Sequence, residues 1–224
     1  MKEIGGRSVL DTLPEIADPR HTAFLVIDIQ NDNCSPKGMA ALNGRDISRA
    51  RQIIPNVKTV LAEARRLGLL IIFMRMTESK NGILESDPVF RRVAKTTASV
   101  DLAGYLMEGT WGNEVLDELE PRPNERQMIK YRSSSFIGTP LELLLKNSGI
   151  KAAVIVGVVT EGCVETTVRD LDQYGYYPVV LSDCVASRRE DIHQAALLVM
   201  SHRYDVVRST ELLEVWRSVS VAEA

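Results

Sequence analysis

Histidine is scarce in this 224-residue chain: His21, His193 and His202 are the whole complement. They form no H-x-x-x-H pair and no C-x-x-C occurs, which argues against a structural zinc site and for no bound metal. The scarcity also means that any thiol chemistry has to find its base among carboxylates. Cysteine is equally sparse. Cys34, Cys163 and Cys184 are odd in number and irregularly spaced, which excludes a disulfide framework and suits a reducing compartment. Long apolar runs are absent. AFLVI and AAVIVGVV fall far short of the ~20 residues that a membrane helix needs, so no membrane partner is expected. The N-terminal stretch MKEIGGRSVLDTLPEIADPR lacks an apolar signal core, and a cytoplasmic location is expected. Neither charge sign dominates. The net charge is −3, and without a basic patch there is no footprint for nucleic acid.

What is present is an ordinary globular composition, 45% hydrophobic and 25% charged, of a length that suits one domain. Residues 1–21 read as an irregular lead-in broken by Pro14 and Pro19, and 22–224 as a single domain. Buried strands are expected at TAFLVIDIQ (22–30), LLIIFMRM (69–76), QMIKY (127–131), AAVIVGV (152–158), YPVVLSD (177–183) and YDVVRS (204–209). Between them, helices are expected at 46–67, closed by Gly68, and at 139–149, capped by Thr139. Further helices are expected at 163–175, 189–203 and 210–219. Residues 77–126 read as a long excursion that forms a site or an interface. Strands alternating with helices predict an α/β fold with a parallel sheet covered on both faces.

Open α/β sheets bind ligands beyond the carboxyl ends of their strands. Three such ends carry reactive side chains: Asp28 in VIDIQ, Lys130 in MIKYR, and Cys163 just past VGVVTEG. The thiolate is the nucleophilic form of cysteine, and both a helix N-terminus and a nearby ammonium favour it. A carboxylate can take the thiol proton and later return it to a leaving amine. The structural readings stand beside this one. A free cysteine is commonly core packing, and Asp28 and Lys130 can neutralise each other as a purely structural pair.

Three ordered stretches resemble the isochorismatase-like cysteine hydrolases, a family that includes nicotinamidases, N-carbamoylsarcosine and ureidoacrylate amidohydrolases and biuret hydrolase. They are TAFLVIDIQND, KYRSSSFIGTPLELLLKNSGI and VIVGVVTEGCVETTVRDLDQYGY, and the similarity runs from about Thr22 to the last helix. The resemblance implies a three-layer α/β/α fold around a six-stranded, mostly parallel sheet. It assigns Asp28 as base and acid, Lys130 as electrostatic support and Cys163 as nucleophile. It further implies a cis peptide between Val158 and Val159, and an oxyanion hole from the N–H groups of Val159 and Cys163. No cofactor is implied, and a homodimer or homotetramer is the usual assembly. The presence of Cys163 argues against the isochorismatases proper.

Nicotinamidases commonly carry a metal site built on an Asp and paired histidines after the second strand, where this chain reads MRMTESKNG. Gly162 before the cysteine is similar to the carbamoylsarcosine type. Arg188, in SDCVASRRED, falls where that type carries an arginine for a substrate carboxylate, although Arg188 or Arg189 can equally cap the next helix. Gln30, Thr160 and Trp111 join Arg188 as expected substrate contacts. Cys34 is read as packing or as facing the site, and Cys184 as structural. The expected substrate is a small amide, ureido or carbamoyl compound, including one that bears a carboxylate. A nicotinamidase, a lactam hydrolase and a non-catalytic scaffold are the alternatives.

Overall fold

The structure is a computed structural model that describes residues 1–97 and 104–218. Residues 98–103 of the expected excursion, and Val219 at the end of the expected last helix, lie outside them. The first 21 residues are more ordered than their composition suggests. Gly5 and Gly6, at φ 57° and 76°, turn a hairpin between β1 (Lys2–Ile4) and β2 (Arg7–Val9). Two consecutive residues in the left-handed region are what a tight hairpin requires, and glycine adopts it without steric cost.

The sheet consists of β3 (Thr22–Ile27), β4 (Leu70–Met76), β5 (Arg126–Lys130), β6 (Ala152–Val158), β7 (Tyr177–Ala186) and β8 (Asp205–Val207). Their spatial order is β5-β4-β3-β6-β7-β8, and every pairing is parallel. The helices are α1 (Leu13–Ile16), α2 (Asn31–Cys34), α3 (Met39–Leu42), α4 (Ser48–Arg66), α5 (Asp87–Thr97), α6 (Leu141–Asn147), α7 (Glu165–Gln173), α8 (Glu190–Ser201) and α9 (Ser209–Arg217). Of these, α5 lies in the excursion, where no helix is expected from the sequence.

All six residues of β3 are buried, which explains why its apolar run is continuous rather than alternating. Period-two geometry still sorts them. Phe24 and Val26 join one core with Val57, Val60 and Leu61 of α4 and Trp216 of α9. Leu25 and Ile27 join the other, with Leu145 of α6, Val168 of α7 and Met200 of α8. These two cores make the three-layer α/β/α architecture. Trp216 also ties the lead-in to the domain, since its indole N–H donates to the carbonyl of Ala17 at 2.8 Å.

The chain builds outward from β3 through β4 to β5, then crosses back to place β6 on the other side of β3. That reversal opens a crevice beyond the carboxyl ends of β3 and β6. Gly157 lets the two strands meet there. Its φ is 142°, and a Cβ on it would lie 2.1 Å from the carbonyl oxygen of Ile27. Gly157→Ala is therefore expected to cost about 3 kcal/mol or more through strain and overpacking, read as a lowered thermal midpoint. A melt unchanged from wild type would show that the crevice is looser than its geometry.

Candidate active site

Asp28 is the first residue past β3 and adopts φ 55°, a left-handed conformation that aspartate tolerates better than most residues. This turn leaves the carboxylate buried against the neighbouring strand ends. Oδ1 accepts the Met76 N–H at 2.9 Å, and Oδ2 accepts from the Lys130 ammonium at 2.9 Å. Lys130 closes β5 and is fully buried. Its ammonium also donates to the carbonyls of Arg132 at 3.2 Å and Ser133 at 3.4 Å. Burial works to lower its pKa, but the charge of Asp28 beside it is the main opposing influence, and the value is held above the ordinary one.

Cys163 sits in a π-type turn, Thr160–Val164, wound between β6 and α7. Such turns recur at functional sites because the widened winding re-aims a side chain. The Val159 carbonyl accepts from Gly162 N at 3.1 Å and Val164 N at 3.3 Å, so one oxygen gathers the turn. Thr167 Oγ1 donates to the Cys163 carbonyl at 2.7 Å and accepts from Ser135 N at 3.1 Å, joining the turn to the serine loop after β5. The Val158–Val159 peptide is cis. The Cys163 thiol lies near enough to Asp28 and Lys130 for both to act on its ionisation, so the three strand ends singled out in the sequence converge on one cluster.

One expectation needs correcting. The helix end and Lys130 suggested a thiolate at rest. Instead burial, followed by the charge of Asp28, pushes the Cys163 thiol up to about 12, and Lys130 only partly offsets them. The resting cluster is thus a neutral thiol beside a carboxylate–ammonium pair. Cys34, also pushed up to about 12 by burial, is inert packing in the α4 core, and Cys184 is buried in the same core.

The expected substrate contacts separate. Arg188 is exposed and lines a cleft with Val158 and Val159. Gln30 is fully buried and wholly committed: its amide donates to Met76 O at 2.9 Å and Asn113 O at 2.7 Å, and accepts from Met76 N at 3.0 Å. It ties the excursion to the sheet and leaves no group for substrate. The buried Thr160 hydroxyl is likewise engaged, with His193 Nδ1 at 2.8 Å. The Trp111 indole bonds Asp117 at 3.2 Å and stands half-exposed, outside that cleft.

Several participants carried no signal in the sequence. Asn33 Nδ2 donates to the Asp28 carbonyl at 2.9 Å, and Tyr105 hydrogen-bonds with Asn33 Oδ1. Asp32 receives Met39 N at 2.9 Å and Leu106 N at 2.7 Å, pinning the excursion over the site. The one hint was the polar run QNDN directly after a buried strand, whose burial demands partners.

The fold and the buried acid–ammonium–thiol cluster define a hydrolase of the three-layer α/β/α class. The sequence profile of the isochorismatase domain matches residues 22–211, and the chain belongs to that family. Among solved structures, an isochorismatase-like hydrolase from Alkaliphilus metalliredigens is 26% identical with a TM-score of 0.69, over 88% of this chain and 99% of that one. A pyrazinamidase of Pyrococcus horikoshii, in complex with zinc, is 25% identical at 0.69, over 84% and 99%. The N-carbamoylsarcosine amidase of Thermoplasma acidophilum is 24% identical at 0.66, over 84% and 96%, and shares the fold.

Two measurements test the cluster. Alkylation of Cys163 by iodoacetamide is expected to rise through the alkaline range with a midpoint far above the ordinary thiol value, and Asp28→Asn should move that midpoint down, because the carboxylate's charge is one of the groups raising it. An unmoved midpoint would separate Asp28 from the thiol. Lys130→Met should destabilise the fold by about 3–5 kcal/mol, because it strands a buried carboxylate. The double variant Lys130→Met/Asp28→Asn should lose less, and equal or greater loss would show that the pair is not coupled.

Proposed function

We propose that this protein is a cysteine amidohydrolase that cleaves the C–N bond of a small amide, ureido or N-carbamoyl compound and releases ammonia. The observation that carries the reading is the convergence of one thiol with both members of a buried Asp28–Lys130 pair. In the reaction, the Cys163 thiol passes its proton to Asp28 as sulfur attacks the carbonyl carbon. The oxyanion is received by the N–H groups of Val159 and Cys163. The C–N bond then breaks, Asp28 returns the proton to the departing nitrogen, and ammonia leaves behind a thioester or S-carbamoyl enzyme. Water attacks this acyl group and gives a proton to Asp28. That proton returns to sulfur as the acid departs.

A thiol that is neutral at rest suits this sequence of steps. Nucleophile and general acid form together in one proton transfer, and Lys130 steadies the site while the negative charge moves between oxygen and sulfur. The nicotinamidase alternative is weakened by residues 77–82, TESKNG, which hold no histidine. Gly162 supports the carbamoyl-type reading through its likeness to that type, and a Cβ there would lie 3.0 Å from the Val159 side chain.

A panel of N-carbamoyl amino acids, ureidoacrylate, biuret, maleamate and nicotinamide, read by ammonia release, tests the proposal. Turnover of a carbamoyl, ureido or linear amide compound is expected, and Cys163→Ala should reduce it at least ~10³-fold while the thermal midpoint is kept. Turnover of nicotinamide alone would refute the substrate class. Retained activity in Cys163→Ala would refute the nucleophile.

A further inference from the structure

The buried face of α8 is made by His193, Ala196 and Met200, spaced as one helical stripe. Alanine and methionine suit that place, whereas a buried histidine needs a partner. Its ring nitrogen Nδ1 lies 2.8 Å from the hydroxyl of Thr160, which is fully buried. Thr160 opens the π-type turn that carries Cys163, and its carbonyl accepts the Glu165 N–H from the far end of that turn. One residue therefore closes the turn with its backbone and ties it to α8 with its side chain. The other end of the turn is held separately, by Thr167 on the Cys163 carbonyl at 2.7 Å.

A buried hydroxyl has to give its proton to an acceptor, and Nδ1 is its partner among the described residues. Nδ1 accepts only in the neutral ring, with the ring proton on Nε2. Burial first, and then the charge of Arg49, lowers the His193 pKa, with Glu161 opposing, so the ring is neutral at neutral pH. Arg49 is itself held by its ion pair with Glu190, in the first turn of α8. Valine has the branched shape of threonine and would pack in the same space, but it offers no directional tie. In the chain, Thr160 lies between the proposed oxyanion donors Val159 and Cys163. A shift at Thr160 therefore moves those N–H groups and the sulfur relative to Asp28.

We infer that His193 is a positioning residue for the nucleophile: through the Thr160 hydroxyl it fixes the π-type turn, and so sets where the Cys163 sulfur and the adjoining N–H groups stand relative to Asp28. His193 acts through Thr160 and takes no proton in the reaction. The inference deepens the amidohydrolase reading and rests on it for turnover, but not for the reactivity of the thiol. Misplacing reacting atoms by about 1 Å costs on the order of 100-fold in rate, so a tie of this kind is felt in the chemical step.

Two readouts test it. One is kcat and KM for ammonia release from whichever compound of the panel turns over fastest. The other is iodoacetamide alkylation of Cys163, followed by mass spectrometry at a fixed pH below the pKa of the thiol. His193→Phe keeps a ring and loses the acceptor; it is expected to lower kcat about 10–100-fold with KM held within about twofold. Alkylation should rise about three- to tenfold, because a loosened turn relieves the burial that raises the Cys163 pKa. His193→Asn places an amide oxygen where Nδ1 stands and should stay within about threefold of wild type in both readouts. Thr160→Val removes the same bond with the shape kept; it should follow His193→Phe, and it carries the test where His193→Phe folds poorly. Unchanged kcat or unchanged alkylation in these two variants, a loss confined to KM, or His193→Asn as impaired as His193→Phe would overturn the inference. If alkylation follows the expected order but the wild-type protein releases no ammonia from any compound of the panel, the positioning role stands and the amidohydrolase reading falls.

Discussion

The buried ion pair between Lys130 and Asp28 is the constraint around which the site is arranged. A full positive charge with no access to water is tolerable only if every proton of the ammonium has a partner and a negative charge stands beside it. Lys130 meets that demand with Asp28 and two backbone carbonyls. Each partner fixes something further. Asp28 can reach the ammonium only from a left-handed turn at the end of β3, and the carbonyls of Arg132 and Ser133 hold the serine loop in place. That loop in turn grips Thr167, and through it the carbonyl of Cys163. The conformation of the Cys163 turn is thus linked to the ion pair between β3 and β5.

The same pair decides the state of the thiol. An ammonium alone would draw the proton off sulfur. Paired with a carboxylate whose charge also acts on sulfur, and with burial, it leaves the thiol neutral. Charge then has to be created in concert with substrate, which protects the cysteine from adventitious oxidants and alkylators while the site is empty, since the thiolate is the reactive form. Cys34, sunk in the α4 core, is neutral for a simpler reason, since desolvation is the main influence on it.

The excursion after β4 is bound to this framework by buried polar side chains as well as by apolar contact, with Val115, Leu116 and Leu119 entering the α4 core. Asn113 donates to the carbonyls of Met76 and Leu106 at 2.9 Å each, Gln30 reaches the Asn113 carbonyl, and Asp32 takes the N–H of Leu106. Gly112 is required by the same network, because a Cβ there would fall 2.2 Å from the Asp32 carboxylate. Polar anchoring is directional. It brings Tyr105 to Asn33 and so to the wall of the cleft, a precision that hydrophobic packing alone does not supply.

By itself, the sequence was enough for the six strands of the sheet and for the three strand-end side chains that meet. Apolar runs such as TAFLVI and AAVIVGV have one stable use, a strand covered on both faces, and their alternation with periodic helices leaves one architecture. Asp28, Lys130 and Cys163 were legible because each interrupts or directly follows such a run, where a polar side chain needs a reason. The helix at Asp87–Thr97 and the hairpin at residues 2–9 were not read, the first because it lies in a segment without long apolar patterning. Tertiary structure alone decided the rest. Gln30 and Thr160, which lie close to Asp28 and Cys163 in sequence, turn inward to Asn113 and His193, while Arg45 and Tyr105, 60 positions apart in the numbering, stack on one another. Periodicity records which side of an element is buried. It does not record which loops meet above the sheet, and the walls of this site come from those loops.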